Sequence, residues 1–305
     1  MGKIAFVFAG QGAQHSGMGL DYYEQNARAK AVFECAEKER SQTLSQCFYS
    51  EESILKETKN TQPCMFAFEV AIAEALMDHG IVPDMVAGFS LGELAALQVA
   101  DAAKFENMFA LVCQRGILMQ EAAEAHPTAM AAVLKLSNDV VETICKNFEG
   151  VYPVNYNCQG NVSVAATEAV MPAFREAVKA AGGRAMPLKV AGGFHSPFMA
   201  EAGACFQKAL ERVALQNTKI PVIANLTGQA YGDDIKATLA AQMTSPVQWE
   251  ESVRTMIDAG VDTFIEIGPG DTLSGMIKRI DGSVARYTTG TYEDFEMLVK
   301  EVSDK

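Results

Sequence analysis

The amino-acid sequence predicts an α/β fold in two parts: a large domain on a mainly parallel sheet and a small domain inserted into it. Three observations carry this. At both ends of the chain, short apolar strand candidates alternate with helical stretches, the pattern of a parallel sheet covered on both faces. In the middle third the order changes to strand, helix, strand, strand, helix, strand. After residue 85, a buried strand meets a helix through a Gly-x-Ser-x-Gly turn. A length of 305 residues suits two domains, or one large domain with an insertion. We expect the large domain at 1–126 and 192–305 and the inserted one at 127–191.

The first strand, 3–9, runs into the polar, Gly-rich turn Gly10-Gln11-Gly12-Ala13-Gln14. Gln62-Pro63 opens a helix, because Pro suits a first turn, and Phe66, Val70, Ala73 and Met77 recur at helical spacing before a capping Gly80. Pro83-Asp84 leads into a short buried strand, 85–88, and a helix begins near Leu91. Residues 105–124 form a long amphipathic helix that Pro127 stops. In the middle third, 129–136, 151–156, 161–166 and 184–190 are strands. Helices starting at Ser137 and Thr167 connect them, the second closed by Gly182-Gly183. That order is the ferredoxin-like motif. The last third returns to alternation: a helix over 198–213, a strand over 221–226, helices around Ile235 and Val253, and a strand over 263–267. Gly268-Pro269-Gly270 then turns the chain into a helix over 272–280.

Hydrophobic residues make up 49% and charged residues 21%, which suits a large packed core and excludes global disorder. The net charge of −13 argues against a general affinity for nucleic acid or anionic membranes, so an acidic partner would need a local basic patch. Seven cysteines, an odd count without a C-x-x-C pair, fit a reducing compartment with no disulfide framework and no zinc site. The apolar run from Ile4 to Ala9 is too short for a signal peptide, and no stretch nears the ~18 apolar residues of a membrane span. The expectation is a soluble cytoplasmic protein.

Gly88-Phe89-Ser90-Leu91-Gly92 has the context of a nucleophile elbow, as in α/β-hydrolases. Its glycines permit a tight turn that exposes the Ser90 hydroxyl, and the following helix N-terminus brings backbone N–H groups beside it. A bare helix-capping turn is the bland alternative. A hydroxyl is a weak nucleophile and needs a base. Of the four histidines, His79 at a helix C-terminus reads as structural and His126 beside Pro127 as surface, while His15 in the polar turn either satisfies that turn or approaches a site. His195 follows Gly192-Gly193-Phe194 in the loop leaving the inserted block, and by elimination it is the best candidate for the base. Between Ser90 and His195 the only aspartates are Asp101 and Asp139, neither well placed as a triad acid. This favours a Ser–His dyad oriented by a backbone carbonyl. Arg115 lies inside the mostly apolar stretch 111–119, where it must find an anion: either a buried protein carboxylate or a substrate carboxylate gripped by its fork.

With these residues in place, the chain resembles the malonyl-CoA:acyl carrier protein transacylases of fatty-acid synthesis, nearly end to end. Phe8-Ala9-Gly10-Gln11-Gly12-Ala13-Gln14 looks like the family's opening loop, and Thr61-Gln62-Pro63 like its helix start. Gly88-Phe89-Ser90-Leu91-Gly92-Glu93 resembles its nucleophile motif, and Gln114-Arg115-Gly116 with Met119-Gln120 its carboxylate-binding helix. Asn155-Tyr156-Asn157, Phe194-His195-Ser196-Pro197, Ser245-Pro246-Val247-Gln248-Trp249 and Ile267-Gly268-Pro269-Gly270 follow in the family's order.

The resemblance implies acylation of Ser90, with His195 as general base and acid, oriented by the main-chain carbonyl of Gln248. It implies an oxyanion hole from the backbone amides of Gln11 and Leu91. Arg115 would grip the malonyl carboxylate, with Gln62, Met119, Phe194 and Asn157 as further substrate contacts. One departure is Phe89, where the family often has His, so any polar help from that side chain is absent. Phe194 beside the base resembles malonyl-specific members and would crowd an α-methyl group, a discrimination of ~1–3 kcal/mol.

The implied partners are malonyl-CoA and acyl carrier protein; Lys189, Lys278 and Arg279 are candidates for docking the carrier, with an ordinary solvated face as the alternative for each. Neither metal nor cofactor is implied, and a monomer is expected. The rivals are a Ser–His thioesterase or hydrolase, which would need a triad acid but not Arg115; a non-catalytic carrier-binding scaffold; and an acyltransferase of a polyketide or polyunsaturated-lipid pathway.

Overall fold

Five strands lie parallel in one sheet of the computed structural model, which describes residues 2–190 and 192–303. The expected boundary at 191, and the chain ends at 1 and 304–305, lie outside the described residues. In chain order the strands are β1 (Lys3–Phe8), β2 (Met85–Gly88), β3 (Thr128–Leu134), β4 (Val151–Cys158), β5 (Asn161–Thr167), β6 (Arg184–Pro187), β7 (Val222–Ile223), β8 (Val261–Ile267) and β9 (Ala285–Thr288). The parallel sheet runs β7-β2-β1-β8-β9. Its central β1 is buried on both faces from Ala5 to Phe8, which is why it reads as a continuous apolar run rather than an alternating one. The carboxyl ends of β1, β2 and β8 come together, and there the chain turns through Gly10-Gln11, Phe89-Ser90 and Gly268-Pro269. That edge is where open α/β sheets place ligands.

The second sheet is antiparallel, in the order β4-β5-β3-β6. Helices Asn138–Lys146 and Met171–Ala180 bury Val141, Phe174 and Val178 against Ala131, Val133, Val162 and Val164. This is the ferredoxin-like arrangement that the middle third predicts. Between the two sheets, the loop residue Val247 pairs with β4: its N–H donates to the Val154 carbonyl and its carbonyl accepts from Tyr156 N–H, both at 2.9 Å. The cleft between them therefore has a fixed wall.

The structure moves several expected boundaries. Gln62-Pro63 does not open a helix. The helix begins four residues earlier, at Thr58, and runs to Asp78 with Pro63 inside it. Thr58 N–H is capped by the Gln120 side chain of helix Phe105–Ala125 (2.8 Å), a tertiary contact that local propensity cannot show. The strand expected over 221–226 shrinks to Val222–Ile223, because Asn225 turns its N–H to the Glu93 carboxylate (3.0 Å) instead of to a neighbouring strand. Helices Leu20–Gln25, Ala27–Glu39, Thr43–Tyr49 and Glu52–Leu55 fill a stretch left unassigned above. Among the described residues, no helix is long and apolar enough to cross a membrane.

Helix Thr58–Asp78 also carries a cost to stability. Glu69 is fully buried beside Gly268, neither carboxyl oxygen has a hydrogen-bond partner among the described residues, and desolvation holds its pKa well above the ordinary 4.5. Glu69→Met keeps the length and removes the unpartnered group, so it should stabilise the fold by about 1–3 kcal/mol. The folded protein keeps this proton to higher pH than the unfolded chain does. The cost of Glu69 is therefore smallest below about pH 4.5 and grows as pH rises toward the raised pKa. Thermal melts should show the Met variant's advantage in Tm growing from pH 5 to pH 8; a constant or shrinking gap rejects this account.

Candidate active site

The elbow is built by close packing at two glycines. A Cβ on Gly88 would sit 1.9 Å from the backbone of Gly92, and one on Gly92 would sit 2.4 Å from the Phe8 carbonyl. The turn leaves Ser90 at a φ of 55°, and His195 has a φ of 59°. Among the described residues only Gln42, Asp101 and Lys135 are the other non-glycines with positive φ, so two of five strained positions are the expected nucleophile and base. Asn225 holds the elbow: its side chain accepts from Ser90 N–H (2.7 Å) and donates to the Gly88 carbonyl (2.6 Å).

His195 is brought in by the loop after β6. Thr128 accepts from Gly193 N–H (2.7 Å), and Ser196 hydroxyl donates to the Gly193 carbonyl. The imidazole Nε2 lies 2.6 Å from Ser90 Oγ, and Nδ1 lies 2.9 Å from the Gln242 carbonyl. A carbonyl only accepts, so Nδ1 carries the proton and Nε2 is free to take the one on Ser90. The orienting carbonyl is thus that of Gln242, not of Gln248 as the family resemblance suggested. The Gln248 carbonyl accepts from Ser252 N–H (2.9 Å) and hydroxyl (2.8 Å) in the first turn of helix Trp249–Asp258, and is occupied there. Among the described residues no carboxylate bonds His195. Asp101 pairs with Lys219, and Asp139 is exposed. The other histidines stay apart: His15 and His126 are exposed, and His79 bonds the Ala75 carbonyl.

Arg115 reaches the same point from helix Phe105–Ala125, fully buried. Its Nη1 donates to Gln62 Oε1 (2.9 Å), and its Nη2 to Gln242 Oε1 (2.9 Å) and Ser90 Oγ (3.2 Å). Gln62 is held in turn by donation to Met119 Sδ (3.2 Å). Among the described residues Arg115 Nε has no partner and no carboxylate lies within ion-pair distance of the guanidinium. Burial pulls its pKa down to about 10, with Glu93 opposing, so it remains a cation at neutral pH. Buried Glu93 accepts from Asn225 N–H, Tyr231 hydroxyl and Gln242 Nε2; desolvation raises its carboxyl to about 7 against those bonds.

A cleft of about 380 Å³ opens over Ser90 and His195 between the two sheets. Gln11, Phe89, Met119, Asn157, Phe194 and Lys189 line it. Phe194 is buried, while Phe89 packs edge-on against Trp249. Asn157 donates to Asn161 and Ser163, and its buried Oδ1 has no partner among the described residues. The N–H groups of Gln11 and Leu91 carry no bond within the chain among the described residues. Among them, too, no group of three or more His, Cys, Asp or Glu could hold a metal ion. Sequence reasoning missed Gln242, Asn225 and Tyr231, which bear no motif, and passed over Glu93, which does.

Desolvation first, and the Arg115 cation second, pull the His195 imidazole from 6.5 down to about 4. It stays neutral, and able to accept a proton, well below neutral pH. Acylation by malonyl-CoA at pH 5 should then keep at least about half of its pH 7.5 rate, where an unperturbed imidazole would leave about 3%. A rapid-quench rate that has collapsed by pH 5 would reject the depressed value.

Strand, elbow and helix bring Ser90 and His195 together with, among the described residues, no carboxylate on the imidazole, and comparison with known proteins gives the class, an acyltransferase. The acyl transferase domain family matches residues 5–287. A malonyl CoA-acyl carrier protein transacylase of Bacillus subtilis is 36% identical over 313 residues, covering 100% of this chain and 99% of the relative. The crystal structure of a malonyl CoA-acyl carrier protein transacylase from Clostridium perfringens superposes with a TM-score of 0.96 at 32% identity, covering 99% of this chain and 98% of that one. A malonyl-transacylase solved in complex with its type II PKS acyl-carrier protein gives a TM-score of 0.94 at 31% identity, covering 98% and 99%. The chain belongs to the acyl transferase family and, within it, to the malonyl-CoA:acyl carrier protein transacylases.

Proposed function

We propose that the chain moves a malonyl group from malonyl-CoA to the phosphopantetheine thiol of acyl carrier protein, through a malonyl ester on Ser90. The observation that carries this is the meeting at one hydroxyl of a base (His195 Nε2, 2.6 Å) and a cation with no carboxylate of its own (Arg115 Nη2, 3.2 Å). Ser90 Oγ attacks the thioester carbonyl while its proton passes to His195 Nε2. The free N–H groups of Gln11 and Leu91 suit the oxyanion of the tetrahedral intermediate. The C–S bond then breaks, and His195 returns the proton to the departing thiolate. The carrier's thiol reverses these steps and takes the acyl group.

Arg115 holds the malonyl carboxylate. That carboxylate offsets the cation that depresses His195, so the bound substrate strengthens its own base. Side chains and backbone of this chain supply every step, and no cofactor is assigned. The carrier docks where Lys189, Lys278 and Arg279 carry positive charge, with Lys189 on the wall of the cleft. In this reading the monomer is the working unit, and seven free thiols suit a reducing cytoplasm.

Intact-mass measurement after mixing with malonyl-CoA should show the gain of one malonyl group, lost in Ser90→Ala. A malonyl adduct that persists in that variant removes Ser90 as the nucleophile. The pathway is read from the carrier: faster transfer to a fatty-acid carrier than to a polyketide carrier is expected.

A further inference from the structure

Glu93 does not touch the reacting atoms, yet one intermediary ties it to Ser90, His195 and Arg115. The Gln242 side chain donates through Nε2 to Glu93 Oε2 and to the Ser90 carbonyl (2.8 Å). Its Oε1 accepts from Arg115 Nη2 (2.9 Å), and its main-chain carbonyl accepts from His195 Nδ1 (2.9 Å). An amide has one acceptor end and one donor end, so its direction matters. Gln242 presents oxygen to Arg115 while acceptors take its NH2 group: the Ser90 carbonyl, the Asn225 side-chain oxygen (3.5 Å) and Glu93, the one carboxyl group of the three. The other Glu93 oxygen takes Asn225 N–H (3.0 Å) and Tyr231 hydroxyl (2.6 Å), and the Asn225 side chain holds Ser90 N–H (2.7 Å).

We propose that Glu93 is a positioning residue for the transfer: it fixes the direction of the Gln242 amide, and through Gln242 it sets Arg115 for the acyl carboxylate and steadies His195. The carboxylate that a triad places directly on its histidine stands here one residue further away. Its effect therefore falls on acyl choice as well as on rate. This rests on the malonyl-transfer reading.

Glu93→Gln tests it with nearly unchanged shape. If the introduced amide keeps its oxygen toward Asn225 N–H, its NH2 group faces that of Gln242. Gln242 must then turn, setting NH2 against the Arg115 guanidinium and oxygen against the Ser90 carbonyl. If the introduced amide turns instead, its NH2 group meets Asn225 N–H, and the clash passes to the holder of Ser90. Acylation of Ser90 is measured with malonyl-CoA and acetyl-CoA in wild type, Glu93→Gln, Gln242→Met and the double variant. Gln242→Met removes the amide and keeps the main-chain carbonyl.

We expect Glu93→Gln to lower kcat/KM for malonyl-CoA at least about tenfold and to lower the malonyl-to-acetyl ratio. The double variant should be within about threefold of the worse single variant, because both remove one link. Losses that multiply, or a lower Tm with kcat/KM and ratio unchanged, overturn the proposal. Should Glu93→Gln fail to fold, Glu93→Asp, which keeps the charge and shortens its reach, is read in the same way. A wild-type chain that malonyl-CoA does not acylate would instead refute the underlying reading.

Discussion

Gly88→Ala should destabilise the protein by about 3 kcal/mol or more and slow Ser90 acylation at least about 100-fold. The new methyl would overlap the Gly92 backbone at 1.9 Å, and Gly92 cannot retreat because the Phe8 and Ala9 carbonyls already press on it, 2.4 and 2.6 Å from where its own Cβ would stand. Overpacking against backbone has no flexible side chain to yield. The elbow would open, and Ser90 would lose the strained φ of 55° that aims its hydroxyl at His195. A displacement near 1 Å at reacting atoms costs on the order of 100-fold in rate. Gly80→Ala is the control. At Gly80 φ is 79° and nothing lies within 4 Å of an added Cβ, so only the left-handed strain of ~1–2 kcal/mol applies and activity should be intact. Melting curves and single-turnover acylation of both variants decide the matter: a Gly88→Ala protein as stable and active as Gly80→Ala would show that the elbow tolerates widening.

These glycines explain why the nucleophile was legible in the sequence. The elbow is a local device, and its spacing reflects contacts between residues four apart. His195 and Arg115 were legible for a different reason. Each is a residue type that is costly to bury without a task, and the chain has few of them in apolar or loop settings. The orienting carbonyl was not legible. Every residue has one, and Gln242 and Gln248 flank the same Ser245-Pro246 turn. Only the tertiary path shows that one carbonyl ends a helix facing His195, while the other caps the first turn of helix Trp249–Asp258. The start of helix Thr58–Asp78 and the shortness of β7 escaped for the same reason. Gln120 and Glu93, distant in sequence, take the backbone groups that set those ends.

Arg115→Ala should cut kcat/KM for malonyl-CoA about 100-fold or more while leaving acetyl-CoA within about threefold, or improving it. The guanidinium is buried with its fork on Gln62, Gln242 and Ser90, all neutral groups, and among the described residues its Nε has no partner. A malonyl carboxylate would supply the missing anion. Each hydrogen bond between charged groups contributes ~1.5–3 kcal/mol, so a bidentate pair contributes about 3 kcal/mol or more, and each ~1.4 kcal/mol is a factor of ten. An acetyl group offers no anion and gains nothing from the cation. Removing Arg115 also removes the second cause of the low His195 pKa, which strengthens the base for either substrate. Loss of packing acts on both substrates equally and lowers Tm, so it cannot move their ratio. Arg115→Lys should restore only part of the malonyl rate, because an ammonium keeps the charge but lacks the planar fork. If Arg115 served the fold alone, both substrates would suffer together, and an unchanged malonyl-to-acetyl ratio in Arg115→Ala would reject the clamp.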